Sequence, residues 1–116
     1  MPAFVEVMSD GSERVLYNRP GFAVFTRRER LSAFSGGRIL SHWHDDLELL
    51  CVRQGRMRCC INGEKLEAKE GDGLFINSCQ THGFERAGRG DCAFFSLLIH
   101  PSMLGANAYL RENFVL

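Results

Sequence analysis

A chain of 116 residues suffices for one domain that buries about two-thirds of its unfolded surface in a single core. Fourteen basic residues against fourteen acidic ones give zero net charge, which excludes the broad positive footprint of a nucleic-acid binder. No run approaches the length of a membrane-spanning helix, so no membrane partner is expected.

From the N-terminus, Met1 to Asp10 lacks the basic start and apolar core of a secretion signal, and a cytoplasmic protein is expected. Short apolar strands are predicted at Val15 to Tyr17 and at Phe22 to Thr26, parted by the turn-forming Asn18-Arg19-Pro20-Gly21. Arg27-Arg28-Glu29-Arg30 then reads as a solvated strand face. Ser35-Gly36-Gly37 breaks the chain before strands at Ile39 to His44 and Leu47 to Val52. Met57 to Ile61 and Glu64 to Ala68 flank Asn62-Gly63, whose residues tolerate the positive φ of a type I′ hairpin turn. Lys69-Glu70-Gly71-Asp72 turns the chain again. Further strands follow at Leu74 to Ile76, Thr81 to Arg86 and Cys92 to Ile99. Short strands at such regular spacing predict an all-β sandwich or small barrel.

Pro101-Ser102 opens a predicted C-terminal helical segment, with Met103, Leu110 and Phe114 at roughly helical spacing. The final Phe114-Val115-Leu116 carries no cap or polar tail. Residues 1–116 are therefore expected to form a single domain of a longer chain. Five cysteines without a CxxC pair are expected to be reduced and packed as small hydrophobes. Cys79, three residues before His82, is a lesser candidate for the centre described next.

His42 and His44 are two apart and so share one strand face, with Trp43 opposite as a core or interface residue. Glu48 has the same parity, but on a straight strand its Cα would lie about 20 Å from that of His42. Asp45-Asp46 must therefore bend the chain so that Glu48 returns on a neighbouring strand. A curled sheet is needed to bring in His82. Phe84 shares the parity of His82 and is a further pocket candidate. Three imidazoles and one carboxylate suit a divalent transition metal (Zn, Fe, Mn, Ni or Cu), and they equally suit a metal-free polar wall. A carboxylate enclosed there requires a partner, and beside His42 or His44 it favours imidazolium.

Gly36-x5-His42-x-His44-x3-Glu48-x6-Gly55 is similar to the first cupin motif at every spaced position. Gly71-x5-Asn77-x-Cys79-x2-His82 resembles the second, departing from it at Asn77, Cys79 and Arg86, where proline, glycine and asparagine are usual. The resemblance implies a cupin fold, a double-stranded β-helix or jelly-roll barrel. The stretch from His42 through Glu85, with "LLIHPSML" after it, further resembles the N-terminal sensor domain of AraC-type transcription regulators. That implies a small-molecule effector, a sugar or related metabolite, held by His42, His44, Glu48, His82 and Phe84. It also implies a homodimer, DNA contacted only through a C-terminal helix-turn-helix domain beyond this sequence, and neither catalysis nor a required cofactor. The alternatives are a metal-dependent cupin enzyme, a dioxygenase or isomerase, using His42, His44, Glu48 and His82 as ligands, and a stand-alone binding cupin.

Overall fold

In the computed structural model, which describes residues 5–15, 17 and 23–104, eight antiparallel strands make up about half of the described residues. They are β1 (Val24–Arg30), β2 (Arg38–His42), β3 (Leu47–Gln54), β4 (Arg56–Ile61), β5 (Glu64–Lys69), β6 (Gly73–Ile76), β7 (His82–Arg86) and β8 (Ala93–Ile99). One sheet has the order β1-β8-β3-β6 and the other β2-β7-β4-β5. Inward rows from both sheets form the core: Leu50 and Val52 from β3, Phe94 and Leu98 from β8, Met57 and Cys59 from β4, and Phe84 from β7. This is the all-β jelly roll expected, with side chains alternating across each pleat.

From Ile39 onward every expected strand is present, with ends moved by two residues or fewer. Asn62 and Gly63 take φ of 49° and 81°, as the hairpin requires. Gly55, between β3 and β4, has φ of 78°, and a Cβ there would overlap the Asp91 carbonyl oxygen. That close approach gives a physical reason for glycine at the end of the first motif.

The N-terminal third departs from expectation. Val15 and Tyr17 lie outside any strand, and Leu16 is outside the described residues. Residues 5–13 instead form a strap paired with the end of β2. Glu13 donates its N–H to the Trp43 carbonyl at 2.6 Å, and Trp43 donates to the Gly11 carbonyl at 3.0 Å. β1 runs four residues past Thr26 and absorbs the arginine cluster. Arg27 is only half-exposed, its guanidinium 5.2 Å from the Phe25 ring and 5.3 Å from that of Phe34. A solvated face therefore describes Arg28 and Arg30 but not Arg27. At the other end, Pro101–Leu104 makes one 3-10 turn; Leu110 and Phe114 of the expected helix lie outside the described residues.

The cysteines are free, as expected, yet only Cys59 and Cys92 are buried. Cys51 points outward on β3 and Cys79 sits in an exposed turn, because strand parity assigns a face regardless of hydrophobicity. Burial pushes the Cys59 thiol up to about 12. Among the described residues, no helix is long and apolar enough to cross a membrane.

Candidate functional site

Ile39 pairs with Phe84 and His42 with His82, so three steps along β2 match two along β7. This is a β-bulge at Leu40 and Ser41. The bulge lets both Ile39 and His42 face inward despite their odd spacing. Gly83 lies opposite, and a Cβ there would come within 2.9 Å of both the Ser41 nitrogen and hydroxyl. Glycine thus admits the bulge that aims His42.

After β2 the chain turns at Asp45 and Asp46 and crosses to the other sheet, where Glu48 enters the inward row of β3. The bend is as expected; the return is to the opposite sheet, not to a neighbouring strand of the same one. The turn before β7 is fastened to this corner. Cys79 donates its N–H to the His44 carbonyl at 2.8 Å, and the Ser78 hydroxyl donates to the Asp45 carbonyl at 2.7 Å. Cys79 has φ of 65°, which explains why glycine is usual there. Its thiol lies 3.4 Å from an Asp45 carboxylate oxygen, outside the histidine cluster, so it is no ligand candidate. The departures at Asn77, Cys79 and Arg86 shape the turn and strand end and leave the donor set intact.

His42, His44 and His82 are buried, and one nitrogen from each ring lies within 4.8 Å of the others. Each Nδ1 faces a backbone carbonyl: Leu40 at 2.8 Å, Asp46 at 3.1 Å and Gln80 at 2.8 Å. A carbonyl only accepts, so each Nδ1 carries hydrogen and each Nε2 is turned to the common centre. Glu48 Oε1 stands 3.1 Å from His44 Nε2 and 3.2 Å from His82 Nε2, while Oε2 accepts from the Ser96 hydroxyl at 2.5 Å. The His82 contact lacks the alignment of a hydrogen bond, which leaves His82 Nε2 a buried atom without a partner among the described residues.

Charge follows from this enclosure. Burial raises the Glu48 carboxyl, but hydrogen bonding to His44 and Ser96 and the adjacent His82 ring outweigh it and hold it well below its ordinary 4.5. Burial works against a proton on His44; Glu48 first, then Glu13 and Asp46, prevail and hold it above its ordinary 6.5. Asp46 is raised by burial, partly offset by a hydrogen bond from the Tyr17 hydroxyl at 3.0 Å.

Sequence reasoning missed Glu13. Its Oε1 lies 3.1 Å from His42 Nε2 and 3.9 Å from His44 Nε2, with a side chain only 7% exposed. No spacing signals it, because Glu13 reaches the barrel through the strap's pairing with Trp43. Trp43 itself packs against the strap, donating from its indole to the Asp10 carbonyl at 3.2 Å. Phe84 is core, its ring 5.8 Å from that of His82, and it also lines a cavity of about 30 Å³ with Glu13, Arg27, His42, Glu48 and Ser96. That volume holds about two waters, so with the strap in place no sugar fits beside the histidines.

The donor set fits a divalent metal. The three ring nitrogens lie within 4.8 Å of one another, and Glu48 Oε1 stands 3.1–3.2 Å from two of them, close enough for one ion to be shared. Three imidazoles whose Nδ1 atoms face backbone carbonyls and whose Nε2 atoms share one centre, with an orphaned Nε2 on His82 and the Glu48 carboxylate beside two of them, are what such an ion satisfies. His42, His44, His82 and Glu48 would hold it, and it would supply Lewis acidity and a site for exchangeable ligands.

The chain matches the family model for the cupin domain over residues 34–99, more than half its length. An uncharacterized HTH-type transcriptional regulator of Bacillus subtilis strain 168, YdeC, is 42% identical over 65 residues. The match covers 56% of this chain but only 22% of that regulator. Among solved structures, the cupin domain of Schizosaccharomyces pombe Cnp3 aligns with a TM-score of 0.64 over 87% of this chain and 69% of that one; at 8% identity it speaks to fold alone. A predicted oxalate decarboxylase from Thermotoga maritima aligns at 26% identity with a TM-score of 0.52, over 54% of this chain and 56% of that one.

Proposed function

Because the chain belongs to the cupin family, and its folded site joins buried imidazoles to a half-buried arginine, we propose that it is the effector-sensing domain of an AraC-type transcription regulator. Its effector is a small metabolite, of which a sugar is one class. The effector binds at His42, His44, Glu48, His82 and Phe84 and biases a helix-turn-helix domain that follows in the parent chain. The parent acts as a homodimer, and DNA is contacted through that second domain alone. The observation that carries this reading is the 42% identity over 65 residues to an HTH-type transcriptional regulator. In this reading the effector enters where the strap now lies, so Glu13 must withdraw to enlarge the 30 Å³ cavity.

Two measurements test it. The gene beyond codon 116 is expected to encode paired helix-turn-helix motifs, and a panel of sugars and related metabolites is expected to contain a compound that raises the melting temperature. A stop codon directly after Leu116, or a panel without any stabilising compound, overturns the proposal.

A second reading, a metal-dependent enzyme acting on a small carboxylate, draws on the orphaned His82 Nε2 and on the likeness to the predicted oxalate decarboxylase. It requires near-stoichiometric metal in the purified protein, lost in His42→Ala, and turnover of such a substrate.

A further inference from the structure

On the barrel wall His42, His44 and His82 face a common centre beside Glu48, and a segment from outside the two sheets supplies a further carboxylate to it. The strap of residues 5–13 is held to the end of β2 by the Glu13–Trp43 and Trp43–Gly11 backbone hydrogen bonds. It carries a nearly enclosed carboxylate to within 3.1 Å of His42 Nε2. Glu48 touches His44 and His82, and Glu13 touches His42 and His44, so together the two carboxylates reach all three rings.

The chemistry of these contacts is specific. Each Nδ1 proton is committed to a backbone carbonyl, so each Nε2 of a neutral ring presents a lone pair. A lone pair 3.1 Å from a carboxylate oxygen is repulsive unless the ring takes a second proton or both atoms face a cation. Two carboxylates and three neutral imidazoles total two negative charges, which one divalent ion balances. Serving a cation accounts for a second buried carboxylate at this point by pairing it with all the rings at once, where a proton would pair it with a single ring.

We infer that Glu13 is a further metal ligand supplied by the chain itself, and that a divalent metal clasps the N-terminal strap onto the barrel. Ion binding and strap closure are then one event. The metal holds Glu13 in place, and Glu13 occupies the position that an external ligand would otherwise take. The strap becomes a metal-dependent cover: loss of the ion, or a stronger external carboxylate, releases it. This inference rests on the donor set and not on the regulatory reading, and its test involves no DNA and no metabolite.

The experiment titrates Co²⁺ into metal-free 116-residue chain, following visible absorption for affinity and coordination, and trypsin cleavage after the exposed Arg14 for strap closure. Wild type is expected to bind Co²⁺ and to be cut at Arg14 at least tenfold more slowly when loaded. Glu13→Gln keeps the side chain's shape while removing its charge. It is expected to weaken Co²⁺ binding by about tenfold or more, alter the absorption spectrum and abolish the protection. Glu6→Gln, which disturbs only the exposed pair with Arg14, is expected to behave as wild type. Equal affinity and equal protection in Glu13→Gln, with binding lost in His42→Ala, would show a metal site without the clasp and overturn the inference. Failure of wild type to bind Co²⁺, Mn²⁺, Ni²⁺ or Zn²⁺ overturns it as well.

Discussion

At Glu48, burial and hydrogen bonding act on one carboxyl in opposite directions, and the hydrogen bonds prevail. The 2.5 Å bond from Ser96 belongs to this balance, and it comes from the residue diagonally across β8, since Glu48 pairs with Leu98 and Ser96 with Leu50. Removing the hydroxyl strands Oε2 in the interior. Ser96→Ala is therefore expected to destabilise the metal-free protein by about 1.5–3 kcal/mol, the range for a hydrogen bond to a charged group, as measured by urea unfolding at pH 6. It also removes one influence that lowers the Glu48 carboxyl, so the acid limb of stability should move to higher pH. A loss below about 0.5 kcal/mol would mean that water replaces the hydroxyl and that the site is wetter than its burial indicates.

Among the elements, the β2–β7 pair and the β3–β4 turn depend on glycine for different reasons. At Gly55 the positive φ and the Asp91 carbonyl act together, and neither can relax without shifting backbone. Gly55→Ala is expected to cost about 3 kcal/mol or more, with a matching fall in the denaturation midpoint. Gly83 is extended, and its constraint is the bulged strand beside it. Gly83→Ala should cost about 1–3 kcal/mol. It should also weaken metal binding, because pushing Ser41 away moves His42 relative to His82. Gly55→Ala lies away from the histidines and should leave metal affinity unchanged in the fraction that folds. Equal metal affinity in both folded variants would sever the bulge from the geometry of the site.

Across the whole molecule, the titrating groups set a pH window for the metal-free fold. Glu48 is lowered on folding, so its contribution is present above its unfolded value of 4.5 and is lost as pH falls. His44 is raised, so its contribution is complete below 6.5 and is lost as pH rises through the folded value. Asp46, raised by burial, favours folding below its ordinary 3.8 and so partly opposes Glu48 at the acid end. Metal-free protein is therefore expected to melt highest between about pH 4.5 and 6.5 and several degrees lower at pH 8. A bound divalent ion reverses the alkaline limb, because it competes with protons for the same imidazoles. The stabilisation by added Zn²⁺ should grow between pH 5.5 and 7.5. A melting temperature that rises steadily to pH 8 without metal would contradict the assignment of His44.

The strands and the histidine ring were legible from residue order because they obey local rules. Period-two burial places Leu50, Val52, Phe94 and Leu98 inward, Asn62-Gly63 makes its own turn, and the first motif spaces His42, His44 and Glu48 around a forced bend. What residue order could not convey depends on contacts between segments far apart in the chain. The Leu40–Ser41 bulge exists because β7 offers a glycine opposite it. Glu13 reaches the centre because its strap pairs with Trp43, thirty residues on, and no periodicity records such a pairing. The donors are thus written in spacing. Enclosure, tautomer and the second carboxylate arise only when the sheets close, because each depends on backbone groups that local sequence does not bring together.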